Sequence, residues 1–118
     1  MFSIIIPTYN NIDYLKLCLS SIKKNSSYNH EIIIHINEGS DGTKSFLDRT
    51  DFNFTYSKVN AGVCVAFNEA AKKASRKYIV LAHDDMYFCP NWDKVFISEL
   101  KKIPENSDYF LSQVHNNV

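Results

Sequence analysis

Apolar and polar residues alternate along this chain in two rhythms, one of strands and one of helices. Phe2 to Ile6 is an almost unbroken β-branched run, the pattern of a parallel strand covered on both faces, and Pro7 is expected to stop it. After a polar turn, apolar residues recur at Ile12, Leu15, Cys18, Leu19 and Ile22 with Lys16, Lys23 and Lys24 turned outward, which predicts an amphipathic helix. Glu31 to Ile36 repeats the strand signature and runs into a turn from Asn37 to Thr43 whose two glycines can supply positive φ. Thr43 to Arg49 predicts a short helix anchored by Phe46 and Leu47. The alternation of Phe52, Phe54 and Tyr56 predicts a more exposed edge strand.

A stripe of Val63, Ala66, Phe67, Ala70 and Ala74 predicts a third helix, and Tyr78 to Ala82 another buried strand. Trp92, Val95, Phe96, Leu100 and Ile103 predict a fourth helix that opens at Pro90 and cannot pass Pro104. Tyr109 to Val114 reads as one more strand. Strands and helices therefore alternate over residues 1–118 as a single α/β domain: a largely parallel sheet, right-handed connections and helices on both faces. Parallel strands deliver the loops that follow them to one edge, so the loops after Ile6, Ile36 and Ala82 should converge there.

Those loops carry the candidate chemistry. Asp84 and Asp85 offer hard oxygen ligands suited to Mg²⁺ or Mn²⁺, and an ion held there could carry a diphosphate; a solvated turn is the alternative. Pro7, Thr8 and Tyr9 can present backbone groups, a hydroxyl and a ring to a planar base, or act as strand terminator, cap and packed aromatic. Glu38 could accept the N–H of a pyrimidine ring or simply face solvent. Asn60, just ahead of Gly62, can cap the third helix and leave its amides to a ligand. Asn68 is either solvated or a contact to a loop. His35 reads as a hydrogen-bonded, partly buried strand residue. His83 could orient the aspartates or touch a ribose, and His115 is a candidate third metal ligand.

Composition narrows the partners. Hydrophobic residues make up 45% of 118, so the chain folds, and 13 basic against 13 acidic residues leave no broad field to gather nucleic acid or an anionic membrane. An anionic ligand must be held locally. Cys18, Cys64 and Cys89 are scattered and unpaired in pattern, which suits buried free thiols in a reducing compartment. No signal-peptide pattern and no apolar run of roughly 20 residues is present, so the expected location is cytoplasmic, without direct membrane insertion.

Taken in order, the segments FSIIIPTYNNIDYLKLCLSSI, IIIHINEGSDGT, NAGVCVAFNEA and YIVLAHDD resemble the family 2 inverting nucleotide-sugar glycosyltransferases of the GT-A fold, a Rossmann-like nucleotide-binding architecture. The resemblance implies that Pro7, Thr8 and Tyr9 meet the nucleotide base and that Glu38 occupies the place of the base-binding aspartate. It puts Asn60 and Gly62 at the start of the Asn-x-Gly helix motif. Asp84 and Asp85 fall at the DxD-type metal motif, with Asp85 the direct ligand and Asp84 nearer the ribose or a metal-bound water. It further implies a nucleotide-sugar donor, most commonly a UDP-sugar, an unidentified acceptor hydroxyl and Mn²⁺ or Mg²⁺ as cofactor. Three features depart from the pattern. Asn37-Glu38 replaces Asp-Asp, and Phe67 stands where an arginine is frequent. Only the tail from Ser107 remains for the acceptor region, with Asp108 its sole carboxylate, so no catalytic base is assigned. A non-catalytic nucleotide-binding or scaffold module, a fragment of a larger transferase and a nucleotidyltransferase are the rival readings. A homo-oligomer could complete an acceptor site, although no residue marks an interface.

Overall fold

The computed structural model describes residues 1–107. The strand expected at Tyr109 to Val114, together with Asp108 and His115, lies outside the described residues. The elements are β1 (Phe2–Tyr9), α1 (Ile12–Asn25), β2 (Glu31–Asn37), α2 (Thr43–Asp48), β3 (Asn53–Ser57), α3 (Val63–Ala71), β4 (Tyr78–Leu81) and α4 (Trp92–Leu100). The sheet has the order β3-β2-β1-β4, and every pairing in it is parallel.

Strand alternation divides the core into two layers. Ile4, Ile6, Ile34 and Ile36 face α1, α2 and α4, where Leu15, Cys18, Leu19, Ile22, Leu47 and Trp92 meet them, all buried. Ile5 and Ile33 face the other way, onto Ala70 of α3. The short side chain of Ala70 brings α3 close to the strands. The chain winds outward from β1 to β3 over one face, then α3 carries it back across the other face to β4. Connections therefore leave β1 and β4 in opposite directions, and the crevice at their carboxyl ends is the topological switch point of the sheet.

The strand patterns depart from expectation in two places. Pro7 does not stop β1, which runs on to Tyr9 with Pro7 opposite His35. Ile5 accepts from Ala82 N–H (2.9 Å), the last bond from β1 to the β4 side. Pro7 has the same parity as Ile5, so its missing N–H points past the end of β4 and no ladder bond is lost. The second departure is β4, expected to be buried. Ile79 and Leu81 are 49% and 48% exposed, because β4 is the edge of the described sheet and α3 packs over β1, β2 and β3.

The helix patterns shift as well. Val63 is exposed at the start of α3. In α4, Pro90 precedes the helix by two residues, the N-cap is Asn91 with φ 64°, and Val95 is exposed while Asp93 is completely buried. Of the three free cysteines only Cys18 is buried; Cys64 and Cys89 are exposed, contrary to the expectation for all three.

Asp93 turns inward because it satisfies a cluster of donors. Its Oδ2 accepts from Ser27 N–H (2.8 Å), Tyr28 N–H (2.9 Å) and the His30 ring (Nε2, 2.9 Å). The amide of Phe2 donates to His30 Nδ1 at 3.2 Å, so that nitrogen is unprotonated and the ring is the neutral Nε2–H form. Burial lowers the His30 pKa from its ordinary 6.5, outweighing the opposing pull of Asp93. His35, buried between the hydroxyls of Thr55 (2.6 Å) and Ser57 (3.1 Å), is lowered for the same first cause. Below about pH 6.5 the unfolded chain then binds protons that the folded chain refuses, so stability falls with pH. Each histidine contributes a slope of up to about 1.4 kcal/mol per pH unit. Melting temperature should be flat above neutrality and fall between pH 6.5 and 5, and His30→Asn should flatten that fall. An unchanged slope in the variant would remove His30 from the account.

Candidate functional site at the switch point

The first loop begins on the last residues of β1. Thr8 is 2% exposed, and its hydroxyl donates to Asp84 Oδ2 at 2.8 Å across the crevice between β1 and the loop after β4. Tyr9, one residue on and of opposite parity, leaves its ring 49% exposed. Pro7 is buried within the strand, and only its backbone carbonyl is directed toward the β4 side.

Asn10 (φ 44°) and Glu38 (φ 68°) both adopt the left-handed region, which is uncommon outside glycine and recurs where a loop must aim a side chain. The Glu38 amide donates to Ser57 O at 2.9 Å, holding that turn against β3. Glu38 Oε2 accepts from Asn10 Nδ2 and from Ser40 Oγ (2.8 Å). These bonds, the Asn10 one foremost, hold its carboxyl below the ordinary carboxylate range. Gly39 must be glycine: φ is 77°, and a Cβ there would lie 2.6 Å from Ile36 Cγ2.

Asp41 ties the same two loops together. Its Oδ2 accepts from Ile12 N–H at the start of α1 (3.0 Å), and its Oδ1 accepts from the Thr43 amide (3.1 Å) and hydroxyl (2.6 Å) at the start of α2. Burial pushes this carboxyl up, but the bonds from Thr43 and Ile12 outweigh it, and the net shift is downward. Asn10 Oδ1 adds a contact from Asp41 N–H at 3.3 Å. Asn37, buried at the end of β2, accepts from Ser57 Oγ (3.0 Å) and Ala61 N–H (3.1 Å), which positions the approach to α3. The sequence pattern does not mark Asn10, Asn37 and Asp41 as site residues. The available signal was small polar residues in turns, which specify a local bond far better than a remote partner.

Asn60 does not cap α3. Its Oδ1 accepts from Gly62 N–H (3.0 Å) in a turn ahead of the helix, and the N-cap is Gly62 itself at φ 86°, with open space where a Cβ would stand. Asn68 is exposed. Phe67 meets His83 edge-on, ring centroids 6.0 Å apart, so the place expected of a cation is apolar. His83 is exposed and opens a turn closed by Met86 N–H onto its carbonyl at 3.2 Å. Asp84 and Asp85 occupy that turn, Asp84 partly buried and Asp85 exposed. Beneath them Cys18 Sγ lies 3.7 Å from the His83 carbonyl, and burial, reinforced by the charges of Asp84 and Asp85, pushes its thiol up to about 12. The thiol is thus an inert packing group.

The structure therefore joins Thr8 to Asp84, and Glu38 to the first loop through Asn10. Asn60 and Gly62 bond to each other. A cavity of about 350 Å³ opens elsewhere, lined by Lys23, Tyr28, Glu31 and Asp51 among others and by none of the predicted site residues.

Residues 3–116 match the family described as Glycosyl transferase family 2. This chain belongs to that family. An uncharacterized glycosyltransferase of Rickettsia typhi is 35% identical over 111 residues, covering 92% of this chain and 34% of that protein. The poly-beta-1,6-N-acetyl-D-glucosamine synthase of Staphylococcus epidermidis is 32% identical over 108 residues, 87% of this chain and 26% of that one. Among solved structures, S. aureus TarS 1–349 in complex with UDP superimposes with a TM-score of 0.75 at 21% identity, over 86% of this chain and 32% of that 1–349 chain. That likeness establishes the GT-A fold. The chain spans about a quarter to a third of the length of these relatives.

Proposed function

We propose that this chain is the nucleotide-binding part of a family 2 glycosyltransferase that takes a UDP-sugar and transfers the sugar, with inversion, to an acceptor hydroxyl. The observation that carries the reading is the Thr8–Asp84 hydrogen bond, which sets a carboxylate in the crevice at the switch point. TarS, of the same fold, is known in complex with UDP. In this reading Tyr9 stacks on the base, Glu38 accepts its ring N–H, and Asp84 lies toward the ribose with one oxygen occupied by Thr8.

The donor set fits a divalent ion. No group of three or more His, Cys, Asp or Glu side chains among the described residues is arranged to hold a metal, and a hard cation such as Mg²⁺ needs only one or two carboxylates when substrate phosphates and water complete its shell. Asp85, and Asp84 through its free oxygen, would hold Mn²⁺ or Mg²⁺. Once bound, such an ion neutralises charge on a departing nucleoside diphosphate. The acceptor proton must pass to a base as the anomeric carbon is attacked, and no described residue is given that role. Exposed Cys64 and Cys89 suit a reducing, cytoplasmic setting. Among the described residues no helix is long and apolar enough to cross a membrane.

Calorimetric and melting titrations with UDP, with and without Mn²⁺, test the reading. UDP at about 100 times its Kd should stabilise the fold by roughly 2.7 kcal/mol. No stabilisation by UDP under either condition refutes it.

A further inference from the structure

We infer that Asn10, with Ser40, is a specificity-determining pair that occupies one oxygen of Glu38 and so selects uracil over guanine. The inference rests on the reading of Glu38 as the base-contacting residue. Two side-chain donors from different segments, Asn10 Nδ2 and Ser40 Oγ, converge on Oε2, whereas Oε1 has no side-chain donor among the described residues. An oxygen accepting two hydrogen bonds has used its lone-pair directions. Glu38 thus presents Oε1 as the oxygen without a side-chain donor, on a carboxylate whose pKa is lowered by Asn10 first, then by the Ser40 hydroxyl and the Ser40 amide.

The bases differ in what they ask of such a group. Uracil shows a single ring N–H flanked by two carbonyls and is satisfied by one oxygen. Guanine shows its ring N–H beside an exocyclic amino group, two parallel donors that pair best with both oxygens of a carboxylate. Cytosine turns a ring lone pair toward the same place, which the carboxylate repels, and only its exocyclic amino group beside that lone pair can donate. With Oε2 taken, the guanine pair leaves one donor unmatched, and an unmatched buried donor is how a polar site rejects the wrong ligand.

Asn10 suits this task by its backbone as well as its amide. Its positive φ turns the side chain back toward the second loop, where Oδ1 also receives Asp41 N–H, so the amide is held at both ends and its NH₂ is fixed on Glu38. Ser40 is exposed, and its hydroxyl donates to the same oxygen at 2.8 Å from two residues along the loop.

The test measures Kd for UDP, GDP and CDP on the whole chain with Mn²⁺ present, for wild type, Asn10→Gly, Ser40→Ala, their double variant and Glu38→Gln. Glycine preserves the positive φ, so Asn10→Gly removes the amide without straining the turn. The expected result is a fall of about tenfold in the preference for UDP over GDP in the double variant, less in each single one, with melting temperature little changed. Equal loss of UDP and GDP affinity, or an unchanged preference, overturns the inference; if Asn10→Gly does not fold, the exposed Ser40→Ala change decides alone. Glu38→Gln separates the two levels. A carboxamide can turn either a donor or an acceptor to the base, so the UDP-to-CDP preference should shrink. If it does not move, Glu38 does not touch the base and both ideas fail there. If it moves while the Asn10 and Ser40 variants keep the wild-type preference, only the pair is wrong. Absence of nucleotide binding to the wild type overturns both.

Discussion

Asp85→Asn is expected to weaken Mn²⁺-supported UDP binding by roughly a hundredfold while leaving the melting temperature of the free protein unchanged. The side chain is exposed at the tip of the His83–Met86 turn, so the fold does not depend on it. Asparagine keeps the size and one oxygen but loses the charge that a hard cation requires. Binding of UDP without Mn²⁺ should be nearly the same in the two proteins, which isolates the ion as the lost contribution. Asp84→Asn is a less clean probe, because Asp84 also accepts the Thr8 hydroxyl and its change disturbs the crevice. Calorimetry with and without Mn²⁺ reads the outcome, and equal UDP affinity for wild type and Asp85→Asn in Mn²⁺ would refute the metal assignment.

Asp93→Ala should have the largest effect on stability, a loss of about 3–5 kcal/mol, out of a total near 5–15 for a domain of this kind. The change strands the Ser27 and Tyr28 amides and the His30 N–H, all of which converge on one buried oxygen. The melting temperature should fall by more than about 10 °C. Val95→Ala, two residues along the same helix, should shift stability by less than about 0.5 kcal/mol because Val95 is 62% exposed. Hydrophobicity alone ranks these two positions the other way round. A mild effect of Asp93→Ala in thermal or denaturant unfolding would show that solvent reaches the cluster.

The latch at Asp93 bears on the site as well as on stability. It fixes the start of α4, and the segment leading into that helix is held to α1 by Ser21 Oγ on Phe88 N–H (2.9 Å) and Asn25 Nδ2 on Phe88 O (2.7 Å). The turn bearing Asp84 and Asp85 therefore hangs between β4 and a clamped segment, with Thr8 fixing its inner carboxylate. Such a frame preorganises the carboxylates before any ligand arrives.

Through α4, the element order, the parallel sheet, the two-sided cover and the arrival of Thr8, Glu38 and Asp84 at one edge are legible in the sequence. Runs of β-branched residues and stripes at helical spacing record which faces leave water, and for alternating strands and helices that record leaves few topologies. What only the tertiary structure decided is where polar groups find their partners. Thr8 and Asp84 are 76 positions apart, His30 and Asp93 are 63 apart, and Asn10 meets Glu38 from another loop. Such bonds carry no period, so nothing in the local pattern distinguishes Asp41, which accepts from the first amides of α1 and α2, from an Asp in solvent. The same limit explains Pro7, whose place in a strand depends on where its neighbour ends, and β4, whose apolar run does not tell an edge from a centre. Hydrophobic pattern determines the scaffold because burial is a property of each residue; the site was settled by pairings, which belong to two residues at once.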